Sequence, residues 1–585
     1  MSRGALAERT QTDRALAGRM PGWVRLDFAG IAVAALFFCL SLTPSLLPRD
    51  WLNAGVIGGI NAAIGYAIGV PAGAVTRRLV LHGRRWWPPS VRVRYAIKAG
   101  IVAVAIGASV LMVVPAAAWQ REVAALMGIE GPATAGYLRT LLVALLTGGA
   151  IVAAVRLLIG AVRLLARLMI RRWKLDDEVA TFIGTAIVVV LIITLVNGVL
   201  LRGFLAGASA VFQPQNTSTR AGVEQPTNPE RSGSPDSFAA WETLGFQGRN
   251  FVGTGPSAAD LAELNGKPAK EPIRIYAGLQ SASSTGERVA VLLSELQRTR
   301  AFDRALLVII PTTGTGWVDP AAARAVEAMY NGDTALVAMQ YSYLPSWISF
   351  LADRQKSVQA GRAMVDAIHQ RWSRWPAERR PKLALYGESL GSMAGQGAFG
   401  YLPDVANMDF SSVLWVGPPN ASNLWKALTQ RRDPGTPEVQ PRYDNGRTVR
   451  FAQASSSAEI TAVAAAPPWT GTRVMFLQHA SDPVVWFSPD LLFRKPDWLK
   501  EPPGYDRSRA MRWYPIVTFF QVSADMAGNV TTSTAAPTGH GHNYGDQQLD
   551  GWVAVAAPAG WTESDTDRVR RWLEKAMSAG GPEFG

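Results

Sequence analysis

Apolar residues divide the chain into two unlike parts. Between residues 28 and 201 five apolar runs, 28–47, 54–75, 100–119, 141–158 and 179–201, alternate with polar gaps. Each is about long enough, at roughly twenty residues, to cross a hydrocarbon core as a helix. Arginines precede the first run as they would a signal peptide. No small-x-small cleavage site follows, however, and the exit is Ser41-Leu42-Thr43-Pro44-Ser45-Leu46-Leu47-Pro48, so the run reads as an uncleaved span. From about Trp241 onward the period shortens. Strand patterns at 273–277, 305–310, 334–340, 382–386, 412–416 and 473–478 alternate with helical patterns at 287–298, 321–330, 355–371 and 390–399. That alternation predicts an α/β domain with a mainly parallel sheet and helices on both faces. The Pro-, Ser- and Gln-rich stretch 212–240 reads as a flexible linker between a transmembrane domain over 1–211 and a second domain over 241–585. Its Asn216-Thr217-Ser218 matches a glycosylation sequon, a short pattern of little weight.

Charge sharpens this division. The net charge of +13 lies wholly in 1–211, which holds 22 basic and 9 acidic residues; the rest holds 36 of each. A neutral second domain removes the electrostatic case for a nucleic-acid partner. Seventeen basic residues fall in the N-terminal tail and the second and fourth gaps, against four (Arg49, Arg121, Arg139 and Arg202) on the other side. Basic residues collect on the cytoplasmic side, so five spans place the N-terminus in the cytoplasm and the second domain outside it. Arg163, Arg167 and Arg171 recur every four residues, which predicts an amphipathic helix lying on the anionic cytoplasmic leaflet. Arg156 is the single ionisable residue inside a span, which argues against an ion or proton pathway, and the glycines between 55 and 69 suit close helix packing. The lone Cys39 excludes an intrachain disulfide and a cysteine-cluster metal site.

Three groups of residues in the second domain carry chemistry. Gly387-Glu388-Ser389-Leu390-Gly391 follows the strand 382–386 and opens a helix rich in small residues. Glycine on both sides lets the chain turn sharply and lifts the Ser389 hydroxyl above the sheet as a nucleophile. Thr312-Thr313-Gly314-Thr315-Gly316-Trp317 follows an apolar strand and lacks the lysine of a phosphate loop. It suits one half of an oxyanion hole, with Thr312 or Thr313 as donor and the N–H of Leu390 as the other half. Asp482, in His479-Ala480-Ser481-Asp482-Pro483, and Gly539-His540-Gly541-His542-Asn543-Tyr544 follow the serine in the order Ser, Asp, His. His542 is the expected base, fixed by neighbours Asn543 and Tyr544, with His540 as the fallback and His479 as a supporting residue. A metal site from His540, His542 and Asp546 is the rival reading; no third strong ligand lies at recognisable spacing, and no metal or cofactor is expected.

These motifs, together with Ser41 to Pro48, Trp51, Val318-Asp319-Pro320, Gln340-Tyr341-Ser342-Tyr343-Leu344-Pro345-Ser346-Trp347 and Val416-Gly417-Pro418-Pro419, resemble the bacterial membrane-anchored α/β-hydrolase family over nearly the whole chain. The resemblance implies a multispan N-terminal domain joined to an outer α/β-hydrolase domain with serine-hydrolase chemistry, and leaves the substrate open. The reading that follows is an ester hydrolase acting on a membrane lipid or acylated envelope component. An acyltransferase using the same acyl-enzyme and a non-catalytic scaffold are the alternatives. Residues 420–470 are expected to form a cap over Ser389, and Trp486, Phe487, Phe493, Trp498, Trp513 and Tyr514 to contribute to an acyl pocket or rest on the membrane.

Overall fold

The computed structural model describes residues 26–80, 91–174, 176–194, 213–345, 348–350, 354–465, 467–531 and 536–580. The chain divides into two compact units. The first comprises Met1–Pro44, Pro48–Glu122 and Glu130–Leu201, and the second Ser45–Leu47, Val123–Ile129 and Arg202–Gly585.

The first unit is helical: α1 (Phe28–Ser41), α2 (Trp51–Val80), α3 (Val91–Leu126), α4 (Arg139–Trp173) and α5 (Asp177–Ile193). Among the described residues three stretches, Trp51–Thr76, Tyr95–Leu126 and Thr134–Trp173, are long and apolar enough to cross a membrane. At 14 residues α1 is shorter than the expected first span, because its apolar sequence runs into the turn at Leu42 and Thr43. The fifth expected span lies partly outside the described residues; α5, 17 residues long, begins with Asp177 and Glu178 just before it and covers 179–193 of it. The basic stretch from Arg163 to Arg171 is not a separate surface helix but the continuation of α4, since a single Gly160 and no proline separates it from the apolar turns before it. The expected glycine packing is present: a side chain at Gly69 on α2 would meet the backbone oxygen of Ala29 at 2.7 Å.

The second unit is built on seven parallel strands: β1 (Ile273–Ala277), β2 (Leu306–Pro311), β3 (Thr334–Met339), β4 (Lys382–Glu388), β5 (Ser412–Val416), β6 (Val449–Ala452) and β7 (Arg473–Leu477), in the order β1-β3-β2-β4-β5-β7-β6. Leu307, Val308 and Ile309 of β2 are fully buried in succession, as expected for a strand covered on both faces. Helices α6 (Thr285–Arg298), α7 (Pro320–Met329), α8 (Arg354–Trp372), α9 (Leu390–Gln396), α10 (Val517–Thr531) and α11 (Gln547–Ala556) belong to this unit.

Three expectations change here. Residues 420–470 do not form a cap as a whole. Val449–Ala452 instead extends the sheet beside β7, its four residues being buried and too short to display a pattern of their own. The presumed linker makes specific contacts: Ser232 donates its N–H to the Arg274 carbonyl at 3.0 Å, and Arg231 binds Glu271 and three backbone carbonyls. Asn216 is 6% exposed and accepts from Gln340, so the sequon is not presented to solvent. The same unit takes in 45–47. Leu46 is buried in its core, and the buried carboxylate of Asp525 on α10 accepts from the Leu46 N–H at 3.0 Å and from the Ser45 hydroxyl.

Candidate functional site

Strand β4 ends at Glu388 and α9 begins at Leu390, so Ser389 alone makes the turn. Its φ of 54° and ψ of −125° lie where side-chain-bearing residues are strained. Close approach explains the flanking glycines. A Cβ at Gly387 would stand 2.6 Å from the Gly391 backbone, and one at Gly391 would stand 2.3 Å from the Pro311 carbonyl oxygen. The second contact brings the end of β2, and with it Thr312, against the turn.

The acid and base come from two loops at the same ends of the strands. Asp482 lies after β7 and is fully buried; its Oδ1 accepts the Val484 N–H at 2.8 Å. Its Oδ2 lies 2.7 Å from His542 Nδ1 and accepts the Tyr544 hydroxyl at 2.7 Å. Burial first, and then the neighbouring Asp482 carboxylate, push the Tyr544 phenol well above its ordinary value, so it remains a donor. With Nδ1 facing the carboxylate, His542 Nε2 is buried and has no hydrogen-bond partner.

Serine and histidine converge on one short piece of chain. The Ser389 N–H donates to the Val416 carbonyl at 2.9 Å, while the His542 ring lies over the next residue, Gly417. A Cβ on Gly417, whose φ is +51°, would fall 2.6 Å from the imidazole Cε1. Glycine at the end of β5 therefore leaves the space that the ring occupies. An Oγ–Nε2 hydrogen bond is not present in this geometry; such bonds are often long before substrate binds.

The remaining expected residues are placed as follows. Leu390 is buried at the start of α9. The Thr312 hydroxyl donates to the Met339 carbonyl at 2.8 Å. The Thr313 N–H turns back to the Trp317 carbonyl at 3.4 Å, and its hydroxyl is buried without a partner. His540 faces another carboxylate, Asp506, at 3.2 Å, and the Ser481 hydroxyl donates to the same Asp506 oxygen. Asp546 is held by Arg570 at 2.9 Å, so His540, His542 and Asp546 have separate partners and do not form one centre. His479 is fully buried, stacked on Tyr544 at 4.0 Å, with Nδ1 at the Gly541 carbonyl and Nε2 at Gln547. Burial holds its imidazole below the ordinary value, and the residue ties the aspartate loop to the histidine loop. His82 lies outside the described residues.

Three contributors carry no signal as isolated letters. Tyr544 was expected to steady the histidine; its hydroxyl instead holds Asp482, while its ring meets His542 edge-on. Asp506 anchors the fallback histidine. Glu388, beside the nucleophile, is buried within reach of Tyr386 and Gln548, and burial, reinforced by Asp319, pushes its carboxyl well above the usual range. The Gly-Glu-Ser motif shows where Glu388 stands in the chain, but its partners come from elements up to 160 residues away.

Around the turn, Leu390 and Met393 pack with Phe350, Phe487 and Met526 of α10. Of the aromatic residues expected to line an acyl pocket, Phe487 therefore reaches the turn. Trp486 and Trp498 are buried in the core, Trp486 meeting Trp425 edge-on and Trp498 at a tilt, and Phe493 is exposed.

A parallel sheet whose fourth strand runs into a serine at a strained turn, with an Asp–His pair from later loops, defines an α/β-hydrolase architecture. The chain belongs to the α/β-hydrolase family: the family model matches residues 273–569, and the model of that family's N-terminus matches 42–256. Neither the curated proteins nor the solved structures compared with the chain gave a match.

Proposed function

We propose that the protein is a membrane-anchored serine hydrolase that cleaves an acyl ester at the outer face of the cytoplasmic membrane. The observation that carries this reading is the convergence of the strained Ser389 and the pair of His542 and the buried Asp482 on Val416–Gly417, with Nε2 left open. Ser389 Oγ attacks the acyl carbonyl while His542 takes its proton, and Asp482 holds the imidazole and balances the charge it acquires. The Leu390 N–H and a donor from Thr312 or Thr313 stabilise the oxyanion. Protonated His542 then releases the alcohol, and water resolves the acyl-enzyme with the same histidine as base.

Two features support an acyl substrate at a membrane. The turn is packed by Phe350, Met393, Phe487 and Met526, which favour an acyl chain over a polar group. The three apolar helices, taken with the uneven arginine distribution across five spans, support anchoring with the catalytic unit outside. The test is ester turnover by the full-length protein in detergent. Each buried methylene contributes about 0.8 kcal/mol, roughly fourfold in rate, so kcat/KM rises from acetate to medium-chain esters, and Phe487→Ala flattens the rise. Ser389→Ala loses activity at every chain length. Equal rates for acetate and longer esters contradict the acyl site, and surviving turnover in Ser389→Ala contradicts the mechanism. Transfer of the acyl group to an added alcohol in preference to water would reassign the enzyme as an acyltransferase.

A further inference from the structure

The first unit contains an open-sided cavity of about 1010 Å³ lined by α1, α2, α3 and α4. Its walls are almost wholly hydrocarbon, including Phe38, Ala63, Ile106 and Val152. This volume is at the upper end of small-molecule sites, which span roughly 300–1,000 Å³. The cavity touches α4 from Leu141 to Gly160. At 1.5 Å per residue that is about 28 Å of helix, close to the ~30 Å hydrocarbon core of a bilayer. An apolar space of that length suits extended acyl chains better than a compact ligand.

One end is polar and positive. Arg156, the only Asp, Glu, Lys or Arg within the expected spans, lines the cavity and donates to the Tyr66 hydroxyl at 2.9 Å, with Tyr66 also in the wall. An intramembrane arginine is retained against a substantial insertion cost and therefore calls for a purpose. Arg163 and Arg167 follow it by seven and eleven residues. At 100° per residue they lie within about 20° of Arg156 around the helix, forming one exposed cationic row running away from the cavity. Lys98 of α3 sits over the Phe28 ring at the start of α1, close in sequence to the cavity residue Leu26. One carboxylate stands among these groups: Asp27 accepts from the Ala29 and Gly30 N–H groups at 3.0 and 3.1 Å, and its N–H donates to the same Tyr66 hydroxyl at 3.0 Å.

We infer that this cavity is a binding site for one anionic diacyl phospholipid, its chains among α1, α2, α3 and α4 and its phosphate at the Arg156 end. Charge complementarity selects the occupant. A zwitterionic lipid brings a cation to an end where Arg156, Lys98, Arg163 and Arg167 outnumber the one carboxylate, Asp27, whereas an anionic headgroup meets Arg156 and the row beyond it. The site is separate from the Ser389 turn and does not depend on the proposed reaction.

The glycines of α4 allow a direct test. Gly149 lines the cavity, and a Cβ there meets nothing within 4 Å, so the Gly149→Phe side chain starts into open space and obstructs the path of an acyl chain along α4. Full-length protein in detergent is exchanged against equal amounts of phosphatidylglycerol and phosphatidylcholine, and retained lipid is counted by native mass spectrometry. Wild type retains one phosphatidylglycerol, preferred tenfold or more. Arg156→Gln loses the preference, Arg156→Lys keeps it, and Gly149→Phe loses retention of both lipids. Equal retention of the two lipids by wild type, or retention by Gly149→Phe matching wild type, overturns the proposal. Preferential capture of added palmitate over phosphatidylglycerol overturns the assigned occupant. Unfolding midpoints in the same detergent separate lost binding from lost fold; if Arg156→Gln does not fold, Gly149→Phe and Arg156→Lys decide.

Discussion

His542 and His540 stand two residues apart, yet they face different carboxylates, Asp482 and Asp506. The His542 ring also lies over Gly417, beside the residue that receives the Ser389 N–H, and its Nε2 is unpaired. His540 has no such connection to the serine. Its role in this account is to brace the loop through Asp506 and Ser481. His542→Ala therefore abolishes ester turnover, a loss of at least roughly 10²- to 10⁴-fold from proton transfer alone. His540→Ala retains a measurable fraction, with its deficit appearing as lower thermal stability. Steady-state kinetics and melting curves on the two variants check this, and the reverse pattern would move the base to His540. Sequence places both histidines in a glycine-rich loop after Asp482, but the choice between them depends on partners 34 and 60 residues away.

At the scale of elements, buried strands were legible because continuous apolar runs such as Leu306 to Ile310 admit few other readings. The nucleophile turn was legible because its glycine spacing and the strand before it are local. Less legible was whatever depends on a distant partner. Val449–Ala452 is a strand only because β7 lies beside it, and within a polar stretch its four residues resemble a loop. Residues 213–240 have the composition of a linker while Ser232 and Arg231 are held by β1 and its surroundings. The exit of the first apolar run shows the same principle. Ser41 to Pro48 is distinctive in sequence, and its buried residues Ser45 and Leu46 meet Asp525 on α10, whose Met526 packs against Leu390. Asp525→Ala leaves a buried hydroxyl and a buried N–H without this acceptor, at about 1–3 kcal/mol for each unsatisfied group. Asp525→Asn keeps an acceptor oxygen and loses less. Thermal inactivation of the full-length protein reads the difference, and an alanine variant as durable as wild type would remove these contacts from the stability of the catalytic unit.

For the whole molecule, three helices among the described residues are long and apolar enough to cross a membrane, and the family match covers both this part of the chain and the hydrolase-family part that follows it. The proposed orientation follows from seventeen basic residues against four. It predicts that a reporter active only outside the cytoplasm works when fused after residue 585 and fails at residue 90. Activity at both positions, or the reverse, would contradict five spans with the catalytic unit outside.

The central claim is that Ser389 is a nucleophile made reactive by the Asp482–His542 pair. A fluorophosphonate probe on the purified full-length protein tests it most directly, because covalent capture requires an activated serine and needs no knowledge of the substrate. The account predicts one phosphonyl group per chain, mapped to the peptide containing Ser389, absent from Ser389→Ala and strongly slowed in His542→Ala. Label on another serine, or undiminished labelling of Ser389→Ala, would contradict it.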